Sequence, residues 1–71
     1  MDVKLKDVVV KTAAFKSDPS EDTLRQLRAQ AETEFRYNKH VDEDTLVFTS
    51  QLVTEVAPTY HQVETFIGLP A

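Results

Sequence analysis

The chain of 71 residues contains no cysteine. This excludes a disulfide framework, a zinc–thiolate site and a thiol nucleophile together. Cysteine-free composition is typical of a reducing compartment, so we expect a cytoplasmic protein. The opening MDVKLKDVVVK holds no apolar run long enough for a signal-peptide core, and no segment approaches the roughly 20 apolar residues of a membrane span. We therefore expect no association with a membrane.

Glycine and proline are also scarce, with one glycine and three prolines. Because the turns of a multi-strand β domain usually use these residues, their scarcity favours helix. The sequence predicts an all-α fold, a small compact bundle of three to four short helices. We expect a single small helical domain over residues 1–71, with a central antiparallel pair at about 19–37 and 43–56.

Charge is unevenly spread within a net charge of −4. Residues 1–17 hold four lysines and two aspartates, residues 18–45 hold eight acids and four bases, and residues 46–71 carry only Glu55 and Glu64. Phosphate-backbone binding needs a basic surface, so we expect no nucleic-acid partner. The last third has few charges to keep its surface in water.

Residues 18–39, DPSEDTLRQLRAQAETEFRYNK, carry the clearest helical pattern. Asp18 is a suitable N-cap, Pro19 fits the first helical position, and Glu21 completes a capping box. We expect the helix to end near Asn38, a residue that tolerates the left-handed conformation. The apolar stripe of this helix, at a period of 3.6 residues, consists of Leu24, Leu27, Ala31 and Phe35.

Residues 41–56, VDEDTLVFTSQLVTEV, carry helix signals and strand signals at once. Asp42 is a suitable N-cap, Glu43 and Asp44 suit the positive first turn, and Val41 with Leu46 fit a hydrophobic staple. These features predict a helix over 43–56. The competing interpretation is a strand, because many residues are β-branched; they are Thr45, Val47, Thr49, Val53, Thr54 and Val56.

Two further segments complete the expected bundle. Residues 58–68, PTYHQVETFIG, predict a short helix in which Pro58 either starts a new helix or kinks one that continues from residue 43. Residues 3–16 are read either as an amphipathic helix, which we favour, or as a strand.

The helix expected at 43–56 is more apolar than one core requires. On a helical wheel its apolar residues cover about 160° and Val47 falls outside that arc. Either this is the central helix, covered on both sides, or part of it contacts another chain. Low charge with aromatic side chains is typical of the centre of an interface. We predict that Val47, Phe48, Gln51 and Tyr60 bind a partner.

No pattern indicates catalysis or a bound cofactor. His40 lies beside an acidic cluster and His61 lies three residues before Glu64, but a metal site needs three or four convergent ligands. A Gly-rich phosphate loop, GxSxG and HExxH are all missing. We predict no catalytic, cofactor or metal site, and no enzyme.

The stretch from LRAQAETEF to TLVFTSQLV resembles the small helical-hairpin aspartyl-phosphate phosphatases of sporulation phosphorelays. That family carries Leu-Arg on one helix and Ser-Gln-x-Leu-Asp on the next, and the matching residues here are Leu27, Arg28, Ser50 and Gln51. Val53 replaces the leucine, and Thr54 stands where the family has its acid. The resemblance implies a helical hairpin whose phosphatase chemistry lacks its carboxylate.

The leading functional hypothesis is a small cytosolic, non-enzymatic protein that binds another protein, as a regulator, inhibitor, antirepressor or immunity-type factor. Self-association into a homodimer is one form of this hypothesis. The alternative is a helix-turn-helix DNA-binding regulator, with residues 38–42 as the turn.

Overall fold

The computed structural model describes residues 4–71, which form three strands and one helix. In chain order they are β1 (Leu5–Phe15), α1 (Glu21–Lys39), β2 (Phe48–Ala57) and β3 (Tyr60–Pro70). The strands make one antiparallel sheet in the order β1-β3-β2. The predicted all-α bundle is therefore wrong, and so are the helices expected at 43–56 and 58–68. For residues 3–16 we favoured a helix over a strand, and this choice is wrong, because Leu5–Phe15 form a strand. Val3 lies outside the described residues.

The helix predicted from residues 18–39 is confirmed as α1, but its ends differ from the expected ones. Ser20, not Asp18, is the N-cap, and its hydroxyl accepts a hydrogen bond from the Thr23 N–H at 3.2 Å. Pro19 consequently precedes the helix. At the other end His40, not Asn38, takes the left-handed conformation and donates its backbone N–H to the Arg36 carbonyl.

The acids before β2 form a turn and do not start a helix. The Thr45 N–H donates to the Asp42 carbonyl at 3.1 Å, and Leu46 is left exposed, so the expected staple does not form. An N-cap contributes only about 1 kcal/mol. The β-branched residues that follow favour an extended backbone, and antiparallel pairing with β3 along the whole strand decides the outcome.

The sheet needs only one tight turn in the described part of the chain. β2 and β3 are joined by Pro58 and Thr59, between the paired residues Ala57 and Tyr60. The other two connections are longer loops at 16–20 and 40–47 that flank the helix. Scarcity of glycine therefore does not exclude this sheet, because proline already supplies a backbone angle suited to the turn.

Strand β3 lies at the centre of the sheet and supplies half of the core. Its odd-numbered side chains point toward α1, as strand alternation requires. The buried apolar residues in the described part of the chain are Ala31, Phe35, Val63 and Ile67. The predicted helical stripe is thus the face that meets the sheet, with Leu24 and Leu27 half-buried at its N-terminal end.

A β-bulge bends β1 where Asp7 and Val8 lie opposite the single residue Gly68. Asp7 has a left-handed backbone, with φ of 56°. A Cβ atom on Gly68 would lie 3.1 Å from Val8 Cγ2 and 3.2 Å from the Lys6 carbonyl oxygen. A side chain at Gly68 is therefore crowded by the close approach of the bulge, and not strained by its own backbone angles.

The first prediction concerns the core. Phe35→Ala should lower the free energy of unfolding by about 3–5 kcal/mol, because it removes the largest buried ring beneath the helix. Tyr37→Ala is the control, since Tyr37 lies on the same helix and is 82% exposed; it should change stability by less than about 0.5 kcal/mol. Urea denaturation followed by circular dichroism measures both, and equal effects would contradict this core.

The second prediction concerns the bulge. Gly68→Ala should destabilise the fold by about 1–3 kcal/mol, because the added methyl group crowds the backbone of β1. Thermal unfolding measures the change. A variant as stable as the wild type would show that β1 does not approach Gly68 this closely.

Candidate functional site

The single helix covers one face of the sheet and leaves the other face uncovered. The even-numbered residues of 8–14, 48–56 and 60–68 point away from α1, and we call this surface the open face. The assignment follows from residues whose side chains contact the helix. Gln51 and Lys11 both contact α1 and both have odd numbers, and Thr65 lies beside Gln51.

The open face is rich in exposed apolar side chains. Leu52, midway along the outer strand β2, is 53% exposed, although a leucine in a sheet is normally covered. The other exposed apolar or aromatic members are Val8, Val10, Val56 and Tyr60. Phe48 and Phe66 are half-buried on the same surface. Because exposed apolar side chains occur on all three strands, the open face is the candidate interaction site.

Charge is almost absent from the open face. Glu64, on the central strand between Thr12 and Leu52, is its one charged member. The remaining polar members are neutral hydrogen-bonding groups; they are Thr12, Ser50, Thr54, Gln62 and the phenol of Tyr60. The open face has no lysine and no arginine, so it offers no cation to a nucleic-acid phosphate.

Three exposed apolar or aromatic residues in the described part of the chain lie elsewhere. Val53, on the helix-covered face of β2, is 40% exposed, and the other two provide references. Leu46, in the loop before β2, is 62% exposed, and Tyr37 projects from the helix. Scattered exposed side chains of this kind are ordinary. The open face differs from them because its apolar members are neighbours in the sheet.

The structure separates the four residues predicted to bind a partner. Phe48 and Tyr60 lie on the open face, but at opposite ends of the sheet, where they pair with Gly68 and Ala57. Val47 precedes β2 and is half-buried. Gln51 lies on the face that the helix covers, so it is not part of the open face.

Gln51 instead joins the helix to the sheet. Its Oε1 accepts a hydrogen bond from Arg28 at 2.6 Å, and its Nε2 donates to the Leu24 carbonyl at 3.0 Å and to Thr65 Oγ1 at 3.2 Å. Arg28 also donates to Glu21 at 3.3 Å. One amide side chain therefore satisfies groups on α1 and on β3 together.

A second polar contact holds the C-terminal half of α1 over β1. Lys11 Nζ lies 3.4 Å from Glu34 Oε2. Beside this pair, a groove of about 230 Å³ is floored by Val9, Ala31 and Phe35 and includes Lys39. The ion pair is half exposed, so solvent weakens it, and it contributes less to docking of the helix than the Gln51 contacts do.

The two histidines serve local structure. His61 is buried beneath the hairpin turn, with its Nε2 3.3 Å from the Pro58 carbonyl oxygen and 3.9 Å from Glu55 Oε1. His40 ends the helix. Over residues 4–71, no group of three histidine, aspartate or glutamate side chains lies close enough together to hold a metal ion.

Most residues of the open face were not predicted to bind a partner, because we expected residues 43–56 to form a helix and placed them on a helical wheel. Phe48, Leu52 and Val56 fall four residues apart, which suits one face of a helix and also one face of a strand. The residues between them would have to alternate between polar and apolar to indicate a strand. They do not, because Val53 is apolar and Gln51, although polar, is half-buried on the other face.

Comparisons with protein-family models, curated proteins and solved structures find no match to this chain. The residues that resemble phosphorelay phosphatases do not form a helical hairpin, since Leu27 and Arg28 lie on α1 whereas Ser50 and Gln51 lie on β2. In the part of the chain that the structure describes, no helix has both the length and the apolar character needed to cross a membrane.

The third prediction concerns Gln51. Gln51→Ala should destabilise the fold by about 1–3 kcal/mol, because it leaves part-buried hydrogen-bonding groups without partners. Gln62→Ala is the matched control on the open face of β3 and should stay within about 0.5 kcal/mol of wild type. Urea denaturation distinguishes them. Equal stabilities would show that Gln51 does not hold the helix to the sheet.

Proposed function

We propose that this protein acts by binding another protein through the open face of its sheet, and that it has no catalytic activity of its own. The observation that supports the proposal is the uncovered apolar surface of the open face, which includes Leu52, a leucine that is 53% exposed. Burial of such a surface stabilises a complex by about 25 cal/mol for each Å² of apolar area removed from water.

The distribution of charge supports a protein as the partner. The centre of a protein interface is depleted of charged residues and enriched in aromatic ones. The open face has one carboxylate, Glu64, and three aromatic rings, those of Phe48, Tyr60 and Phe66. Nucleic acid would meet stackable rings here but no cation to neutralise its phosphates.

The structure changes which residues we assign to partner binding. Phe48 and Tyr60 stay in the proposal, and Leu52, Val10 and Val56 join them. Gln51 leaves it because its side chain is engaged with the helix. A cytoplasmic location, expected from the sequence, is part of this proposal, as is a role as a regulator or inhibitor of the partner.

The helix-turn-helix alternative has no support in this fold. Recognition of DNA by that motif needs two helices joined by a short turn. Residues 4–71 form one helix, and the segment after it, 40–47, leads into a strand.

The fourth prediction tests the open face by site-specific photo-crosslinking. The photoreactive residue p-benzoylphenylalanine is placed at position 52 or 10, on the open face, and at position 46 or 37 as controls of similar or greater exposure. We expect protein adducts from positions 52 and 10 and few from positions 46 and 37. The experiment is done in the cell that makes the protein, and adducts are identified by mass spectrometry.

Absence of adducts at all four positions, or equal yields from all of them, would contradict the proposal. Circular dichroism of each purified variant confirms that it is folded.

A further inference from the structure

The folded chain exposes more surface than a monomer of its size. Its accessible surface is 5264 Å² for a mass of 8.1 kDa. Monomeric proteins of this mass expose about 4500 Å². The excess is about 800 Å², and one partner of a standard protein interface loses an area of the same order.

The shape agrees with this excess. The Cα radius of gyration is 13.2 Å, whereas a compact domain of this length has about 11 Å. The principal extents are 39 × 26 × 17 Å, and the short one is that of a single helix layer on a single sheet. In this two-layer unit the outer face of the sheet has no layer packed against it.

We infer that the open face is covered by the open face of a second copy of this chain, which gives a symmetric dimer with two sheets inside and a helix outside each. The inference rests on the proposed function and names its partner. Sheets that pack in this way lie about 10 Å apart and interdigitate the side chains of their inner faces.

The pattern of residues along the open face is self-complementary. Apolar side chains occupy both ends of the face, with Val8 and Phe66 toward one end and Tyr60 toward the other. The middle band consists of Thr12, Glu64 and Leu52, side by side across the three strands. A two-fold axis in the plane of the face places this middle band against its own copy and apolar ends against apolar ends.

The central carboxylate can be satisfied within such a dimer. Glu64 accepts hydrogen bonds only, and the face supplies neutral donors from Thr12, Ser50, Thr54 and Gln62. A carboxylate held by neutral donors still makes the interface weaker than a neutral group would, because burial removes its hydration and the two-fold axis brings the Glu64 carboxylates of the two copies toward each other. A partner with a lysine or arginine opposite Glu64 would be attracted by this charge, whereas association with a second copy is opposed by it. The charge of Glu64 thus distinguishes these two kinds of partner.

Sedimentation of the purified chain over a wide concentration range tests the inference. We expect reversible dimerisation of the wild type. Leu52→Glu should weaken the dimer by about 100-fold or more, because each copy would bring an unpaired charge to the interface. Leu46→Glu is the matched control, since it introduces the same charge at an exposed leucine outside the open face, and it should dimerise as the wild type does.

Glu64→Gln is the second variant and should tighten the dimer several-fold. Unchanged or weaker dimerisation of Glu64→Gln would overturn the inference, because a covered, unpaired carboxylate must oppose association. Thr54→Glu replaces Leu52→Glu if circular dichroism shows that the latter does not fold, since Thr54 is already exposed and a carboxylate there repels Glu64.

Amide NMR spectra recorded on dilution locate the interface without any substitution. Shifts across all three strands support the inference, and shifts confined to the free edge of β2 overturn it. A chain that stays monomeric at every concentration also overturns it. If position 52 nevertheless crosslinks to a different protein in the cell, the proposed function stands and only the second copy is excluded; if position 52 gives no adduct, both fail.

Discussion

One helix can cover only one face of a three-stranded sheet, and most features of this protein depend on that limit. The four buried apolar residues all lie between α1 and the sheet. Strand β3 contributes two of them because it is the middle strand, and the two outer strands are only partly covered. A core so small provides little stability by itself. The opposite face therefore has a strong physical reason to be covered.

Polar contacts give the helix its position where the apolar core is too small to do so. Gln51 bonds to a backbone carbonyl and an arginine of α1 and to Thr65 of the neighbouring strand. In the described residues no buried side-chain nitrogen or oxygen lacks a partner. Fully satisfied polar contacts specify one arrangement, because any shift of the helix along the sheet would break several bonds at once.

The sequence predicted the helix and its buried stripe because both depend on local spacing. Ser20 replaces Asp18 as the cap because two good N-cap residues flank Pro19 and only the tertiary structure chooses between them. The strands were mistaken for helices because the strongest local signals at 41–46 describe a turn equally well. Whether Val63 or Leu52 meets water depends on which side of the sheet the helix lies. No local pattern contains that information, so the open face could not be assigned before the fold was known.

The order of the strands sets when the sheet can form. β1 and β2 never touch as neighbours, since β3 lies between them and is the last strand in the chain. During synthesis on a ribosome, the first two strands have no partner until the residues of β3 emerge, and until then only α1 has all its backbone partners nearby. Pairings between distant parts of a chain close slowly. Strand β1 in particular is made long before its partner β3, so a nascent chain carries an unpaired, β-prone segment during the period in which aggregation competes with folding.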